Sequence, residues 1–247
     1  MGQTYQEYLT IPFDLCDEKG DIQLPLLLAY CIALSGKQTR LLNRSDSYIF
    51  EHYHWVWIVT DHEMTFHQMP HCHQTISIET EAVSYNKFFC YRHFKIYDQA
   101  GQLMVEIVSH FALMDPKTRK VQVIPEELVA PFESAFVKRI RRVPKLEPLL
   151  TYQEETYQVR YYDIDMNGHV NNGVYIQWAY DALGYEFLHR HRPKSLQLKY
   201  IREVKPGGTV QSRVHQDQLT SYHEVTSAGQ LNAQALFTWQ TIEGEAN

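Results

Sequence analysis

Shifting this chain by 148 residues lays Asp17 on Asp165, Gly20 on Gly168, Ile22 on Val170, Tyr30 on Trp178 and Gly36 on Gly184. The order of hydrophobic patterns repeats with the same shift. A short strand over 5–15, closed by the turn Cys16-Asp17-Glu18-Lys19-Gly20, leads into a helix from Leu24 to Leu42. Strands follow near 55–67, 74–85, 88–98 and 103–115, rich in β-branched and aromatic residues. The second pass reads as a strand at 155–163, a helix at about 172–190, and strands near 195–203, 209–217, 221–227 and 231–242. In the last of these Leu231, Ala233, Ala235, Phe237 and Trp239 fall on one face, a period of two. The first ten residues of the 24–42 helix are apolar on nearly every side, so it should be buried, with Pro25 tolerated in its first turn. Asp98-Gln99-Ala100-Gly101 reads as a hairpin turn. The pattern predicts two copies of one α+β unit of about a hundred residues each.

The expected units are 1–134 and 151–247. Between them, residues 135–150 carry Lys138, Arg139, Arg141, Arg142 and Lys145 with two prolines, and read as a linker. Such a run is by default a solvated connector. Its contrast with a chain of net charge -6 also allows a landing strip for an acidic partner. That net charge argues against nucleic acid as a partner. With 44% hydrophobic residues the chain can bury a sizeable core. The longest apolar run, Leu24 to Leu34, is too short to span a bilayer. No secretory or myristoylation signal opens the sequence, and Cys16, Cys31, Cys72 and Cys90 form no C-x-x-C pair; reduced thiols in a cytoplasmic protein are expected. His71-Cys72-His73, with His62 and His67 nearby, lacks a carboxylate or second cysteine at zinc spacing, so a surface or pocket-rim role is expected rather than a metal site.

Chemistry concentrates in Tyr161 to Trp178, which packs Asp163, Asp165, Asn167, His169, Asn171 and Asn172 into ten residues before turning amphipathic. Read as an extended segment, it would project Asp165, Asn167 and His169 to one side. Asn171 or Asn172 is a natural cap for the following helix, whose N-terminus can stabilise a developing negative charge. The first copy has Lys19 and Asp21 where the second has Asn167 and His169, so the reactive set belongs to the second half. Taken singly, these are ordinary residues: a turn histidine, a cap, a loop aspartate. Their joint appearance is what signals a site.

The run D-I-D-M-N-G-H-V-N-N-G-V-Y-I-Q-W resembles the second-half motif of the acyl-acyl-carrier-protein thioesterases, double hotdog proteins of plant plastids and bacteria. Downstream, Leu196 to Val204 (L-Q-L-K-Y-I-R-E-V) resembles the family strand that ends in a charged pair and a glutamate. In the first half, R-x-F-x-I-x-D-x-x-G from Arg92, then Ser109, then D-x-x-T-R at Asp115–Arg119 follow in family order. The resemblance implies two tandem hotdog units, each a long helix wrapped by an antiparallel sheet. It puts Asn167 and His169 in the catalytic set with Asp165 beside them, and Glu203 on the catalytic glutamate. It implies that the first unit lines the acyl pocket, so that some of Trp55, Trp57, Met64, Phe66 and Met69, otherwise a core stripe, would gauge chain length. Plant members often carry a cysteine directly after the glutamate; here that residue is Val204, and no cysteine follows Cys90.

The implied reaction is hydrolysis of long-chain acyl-acyl carrier protein to free fatty acid, with no cofactor. Glu203 is the general-base candidate, since desolvation in an apolar cleft would strengthen a carboxylate as a base. His169 and Asn167 would orient water or the carbonyl, and backbone N–H groups around Asn172 to Val174 would meet the oxyanion. The partner would be an acidic carrier protein with a phosphopantetheine arm, with countercharge from the linker, Lys194, Lys199 and Arg202. Hydrolysis of acyl-coenzyme A at the same site, and acyl binding without catalysis, are the alternatives. Hotdog relatives pair their sheets; the repeat could satisfy that pairing internally, which leaves a homodimer open.

Overall fold

The computed structural model describes residues 2–242. Strand β1 (Thr4–Thr10) precedes helix α1 (Leu24–Leu41), a short α2 (Asp46–Tyr53), and strands β2 (Val56–Phe66), β3 (Thr75–Tyr85), β4 (Cys90–Tyr97) and β5 (Leu103–Met114). After α3 (Glu126–Val129) and the two-residue β6 (Ala135–Phe136), β7 (Gln153–Gln158) leads to α4 (Asn172–Leu183) and α5 (Tyr185–Arg190). Strands β8 (His191–Tyr200), β9 (Thr209–Asp217), β10 (Thr220–Ser227) and β11 (Gln230–Thr241) complete the chain. No helix among the described residues is long and apolar enough to cross a membrane.

All the long strands form one antiparallel sheet in the order β1-β3-β4-β5-β2-β8-β11-β10-β9-β7. Read outward from the β2–β8 contact, the two halves have the same strand order, as the repeat predicts. The seam pairs Asp61 with Lys199, Glu63 with Gln197 and Thr65 with Ser195. Helices α1 and α4 share one face of the sheet. Their apolar residues join Met64, Phe66, Leu196, Leu198 and Phe237 in a single core that spans both halves.

The helix expected over 172–190 is interrupted. Gly184 adopts φ 79°, ending α4 and separating it from α5. The proposed aromatic-and-methionine stripe is divided too. The β2–β5 ladder shifts register between Val59 and Asp61, leaving Thr60 as an extra residue. Trp55 and Trp57 therefore pack beside Ile49, Leu113 and Leu128, whereas Met64, Phe66 and Met69 belong to the main core.

The bulge also directs Asp61 away from the helices, onto the face that the 135–150 segment crosses. Lys199 Nζ donates to Asp61 Oδ1 (2.9 Å) and to the Val143 carbonyl (2.8 Å). Arg141 pairs with Glu63 (3.0 Å), and Gln234 exchanges hydrogen bonds with the Leu146 backbone. The basic side chains of the segment are exposed, but its backbone is strapped to the sheet. Lys199, proposed as countercharge for a partner, is only 13% exposed and committed to Asp61.

Helices α1 and α4 meet tightly at Gly173, where an added Cβ would lie 3.0 Å from the Pro25 carbonyl oxygen and 3.1 Å from its Cβ. Glycine normally weakens a helix by roughly 0.5–1 kcal/mol relative to alanine. Overpacking of this kind costs about 1–3 kcal/mol, so Gly173→Ala is expected to lower stability in urea titration, against its propensity.

Three buried histidines set the pH dependence of stability. Burial pushes His62 and His223 down to about 3, so they stay neutral when folded and take up protons once unfolded below about 6.5. Burial also lowers His110, but Asp61 (3.6 Å) and Glu63 (3.2 Å) more than offset this and leave it raised. Stability from His62 and His223 is thus present above about 6.5 and lost as pH falls; that from His110 is present below about 6.5 and lost as pH rises through its raised value. Burial opposes ionisation of Asp61 as well, but the nearby His110 (3.6 Å) and the hydrogen bonds from Lys199 and Thr60 hold it at about 2, so it fails only in strong acid. Tm should peak near pH 6.5, and His223→Asn should flatten the acid limb while leaving the alkaline limb in place.

Candidate active site

The turn carrying Asp165, Asn167 and His169 is folded tightly and is not the extended segment expected. Gly168 at φ 78° makes the turn, and Asp165 Oδ1 accepts the backbone N–H groups of Asn167 (2.8 Å) and His169 (3.2 Å). The first copy repeats this atom for atom: Gly20 at φ 75°, with Asp17 Oδ1 accepting from Lys19 (2.9 Å) and Asp21 (3.0 Å). Asp165 therefore braces the loop. Asn167 sits at the exposed tip, and its side chain makes no hydrogen bond among the described residues.

His169 and Glu203 are brought together, with Nε2 3.6 Å from Oε2. Glu203 follows β8 on a loop held from both sides. Asn232 Nδ2 donates to the carbonyls of Arg202 and Glu203 (3.2 Å each), and the Val204 N–H donates to the Tyr175 hydroxyl (3.2 Å). The carboxylate does not lie in an apolar cleft. Its side chain is 37% exposed, and Arg119 Nη2 approaches Oε2 to 2.8 Å from the other half of the chain.

Arg119, the last residue of the D-x-x-T-R run, is a site residue to which its sequence position assigns no role. It ends the Asp115–Arg119 turn after β5, where Asp115 Oδ1 accepts from Lys117 and Thr118, and its φ of 60° is the left-handed conformation that L-residues adopt at some strain. That backbone aims the guanidinium at Glu203 across the groove. The groove has a volume of about 870 Å³, and Arg119, His169, Arg202, Glu203, Lys205 and Asn232 are among the residues that line it.

Asn171 caps α4, its Oδ1 accepting from the Gly173 N–H (2.9 Å) and its carbonyl from the Val174 N–H (3.0 Å). Of the three N–H groups expected to meet an oxyanion, two are thus used by the cap. The Asn172 N–H has no partner among the described residues, and its carbonyl accepts from Tyr200 (2.9 Å). In the first copy the equivalent turn is a tie between halves. Asp21 is buried against Arg192 and 3.5 Å from His71, and Lys19 donates to the carbonyls of Leu188 and His191. Among the described residues no group of three or more His, Cys, Asp or Glu side chains is placed to hold a metal ion.

Residues 2–132 match the model of the acyl-ACP thioesterase N-terminal domain, and residues 146–241 that of the C-terminal domain. A chloroplastic oleoyl-acyl carrier protein thioesterase of Arabidopsis thaliana is 27% identical over 172 residues, 64% of this chain and 47% of that protein, so the match spans about half the plant protein's length. Among solved structures, a Lactobacillus plantarum protein described as an oleoyl thioesterase superposes with a TM-score of 0.92 at 30% identity over 98% of both chains. A 12:0-ACP thioesterase from Umbellularia californica shares the fold, with a TM-score of 0.86 at 17% identity over 97% of this chain and 98% of that one. With the two tandem hotdog units in place and both domain models matched in order, this chain belongs to the acyl-ACP thioesterase family.

Proposed function

We propose that this chain hydrolyses acyl thioesters presented on an acyl carrier protein, releasing a free fatty acid and the carrier's thiol and so ending chain elongation. The observation that carries this reading is Glu203 set against His169 in an open groove, on the chain half whose helix begins with an unused N–H. Glu203 takes a proton from a water molecule that His169 and Asn167 help to orient, and the water oxygen bonds to the thioester carbonyl carbon. The carbonyl oxygen gains the negative charge and is met by the Asn172 N–H and the positive end of α4. Collapse of the adduct breaks the C–S bond, and the proton held by Glu203 passes to the departing sulfur.

A cysteine nucleophile fits poorly. All four thiols lie in the first half, and burial pushes Cys16 up to about 11 and Cys90 up to about 12, away from the thiolate that such a role needs. On this reading unit 1–134 lines the acyl pocket, unit 151–247 supplies the catalytic groups, and the enzyme works in the cytoplasm. The names of its relatives support carrier-linked acyl chains as substrate.

Thiol release from carrier-linked acyl substrates of several lengths tests the proposal. Glu203→Gln should lower kcat by roughly 10²–10⁴-fold, the usual contribution of general-base catalysis. Full turnover in that variant would remove Glu203 from the mechanism, and acyl binding without thiol release by the wild-type chain would leave only a binding protein. Arg119→Gln frees the carboxylate to swing and should lower kcat by about ten-fold, a factor of ten being about 1.4 kcal/mol in the barrier; Arg119→Lys should recover part of the loss.

A further inference from the structure

The two copies of the site-bearing turn give an internal comparison of what each one presents outward. In the second copy Tyr161, Tyr162 and Met166 are 86%, 92% and 103% exposed, three large apolar side chains within one short turn. In the first copy the 148-residue shift puts Phe13, Asp14 and Glu18 at these positions. Phe13 is also exposed, but Glu18 is taken by the Tyr185 hydroxyl and His189. The retired copy thus carries acids where the copy with the reactive set carries an aromatic and a methionine. Clustered exposed apolar residues mark interaction sites more often than chance.

Charge favours the same surface. The groove beside this turn is lined by Arg202 and Lys205, both exposed, and among the described residues neither makes an ion pair. Glu203 is the groove's one acid and is already neutralised by Arg119. The two acids of the turn are turned inward: Asp163 accepts from the Arg160 N–H, and Asp165 from the N–H groups described above. A locally cationic mouth on a chain of net charge -6 complements an acidic partner.

We propose that the acidic carrier protein docks on this mouth, its apolar residues against Tyr161, Tyr162 and Met166 and its acids and phosphate against Arg202 and Lys205, so that the pantetheine arm lies in the groove and presents its thioester to Glu203. This rests on the thioesterase reading above. The exposed cations of the 135–150 segment are then bystanders.

The test compares kcat/KM for one acyl chain on the carrier protein and on free pantetheine, at low and high salt. The wild-type chain should favour the carrier-linked substrate, with a preference that falls as salt rises. Arg202→Glu with Lys205→Glu, and separately Tyr162→Asp with Met166→Glu, which installs the first copy's residues, should each reduce that preference about ten-fold or more. Lys138→Glu with Lys145→Glu should leave it within two-fold. An unchanged preference in both mouth variants, with melting curves showing that they are folded, would overturn the docking surface, as would a loss confined to the linker variant. Absence of thiol release by the wild-type chain from either substrate would instead overturn the thioesterase reading beneath it.

Discussion

The antiparallel ladder between β2 and β8 is the contact on which the two halves depend. Separated, each half would present an unpaired edge strand with its N–H and C=O groups open to other chains. Joined, they make one sheet and one core. A slip of one residue along this seam would move Asp61 and Lys199 to the apolar helix face and Met64 and Leu196 out of it. The buried Asp61–Lys199 pair opposes such a slip. Its net stabilisation is small, because desolvation offsets attraction, but stranding either partner costs about 3–5 kcal/mol. The same seam brings the N-termini of α1 and α4 together at Pro25 and Gly173 and carries Glu203, just beyond β8, to His169.

Duplication also explains the division of labour. Both copies keep the aspartate that holds the turn and the glycine that makes it, because the backbone needs them. They differ at the residues the backbone leaves free. In the second copy these are Asn167, at the exposed tip, and His169, facing the groove; in the first they are Lys19 and Asp21, drawn into contacts with α5 and β8. A charged pair that would obstruct an active site serves well as a tie between halves. Arg119 is the counterpart across the groove, a first-half residue that completes a second-half site.

Much of this was legible in the sequence because it rests on short-range pattern. The repeat, the alternating final strand and the turn at Asp98 follow from periodicity and turn chemistry, and the Asn171 cap from residue type; the first helix, expected to be buried all round, instead leaves Ala29, Tyr30 and Ala33 exposed on one face. What was missed depends on a single residue or on distant partners. The break at Gly184 is one left-handed residue inside an apolar helix. The bulge at Thr60 inserts one residue and divides a stripe that looked continuous. Ser45 caps α2 with a hydrogen bond to the Tyr48 N–H, a signal that was present but followed by only eight helical residues. The strapping of the 135–150 segment, the capture of Lys199 by Asp61 and the reach of Arg119 to Glu203 join residues at least 50 positions apart and leave no local trace.

The central claim is that water, activated by Glu203, attacks the thioester directly. Single-turnover hydrolysis in ¹⁸O-labelled water, with mass analysis of the released fatty acid, tests it most directly. Direct attack predicts one ¹⁸O atom in the acid from the first turnover. Unlabelled acid in that turnover would mean that the acyl group had first bonded to an enzyme carboxylate oxygen, and would contradict the role assigned here to Glu203.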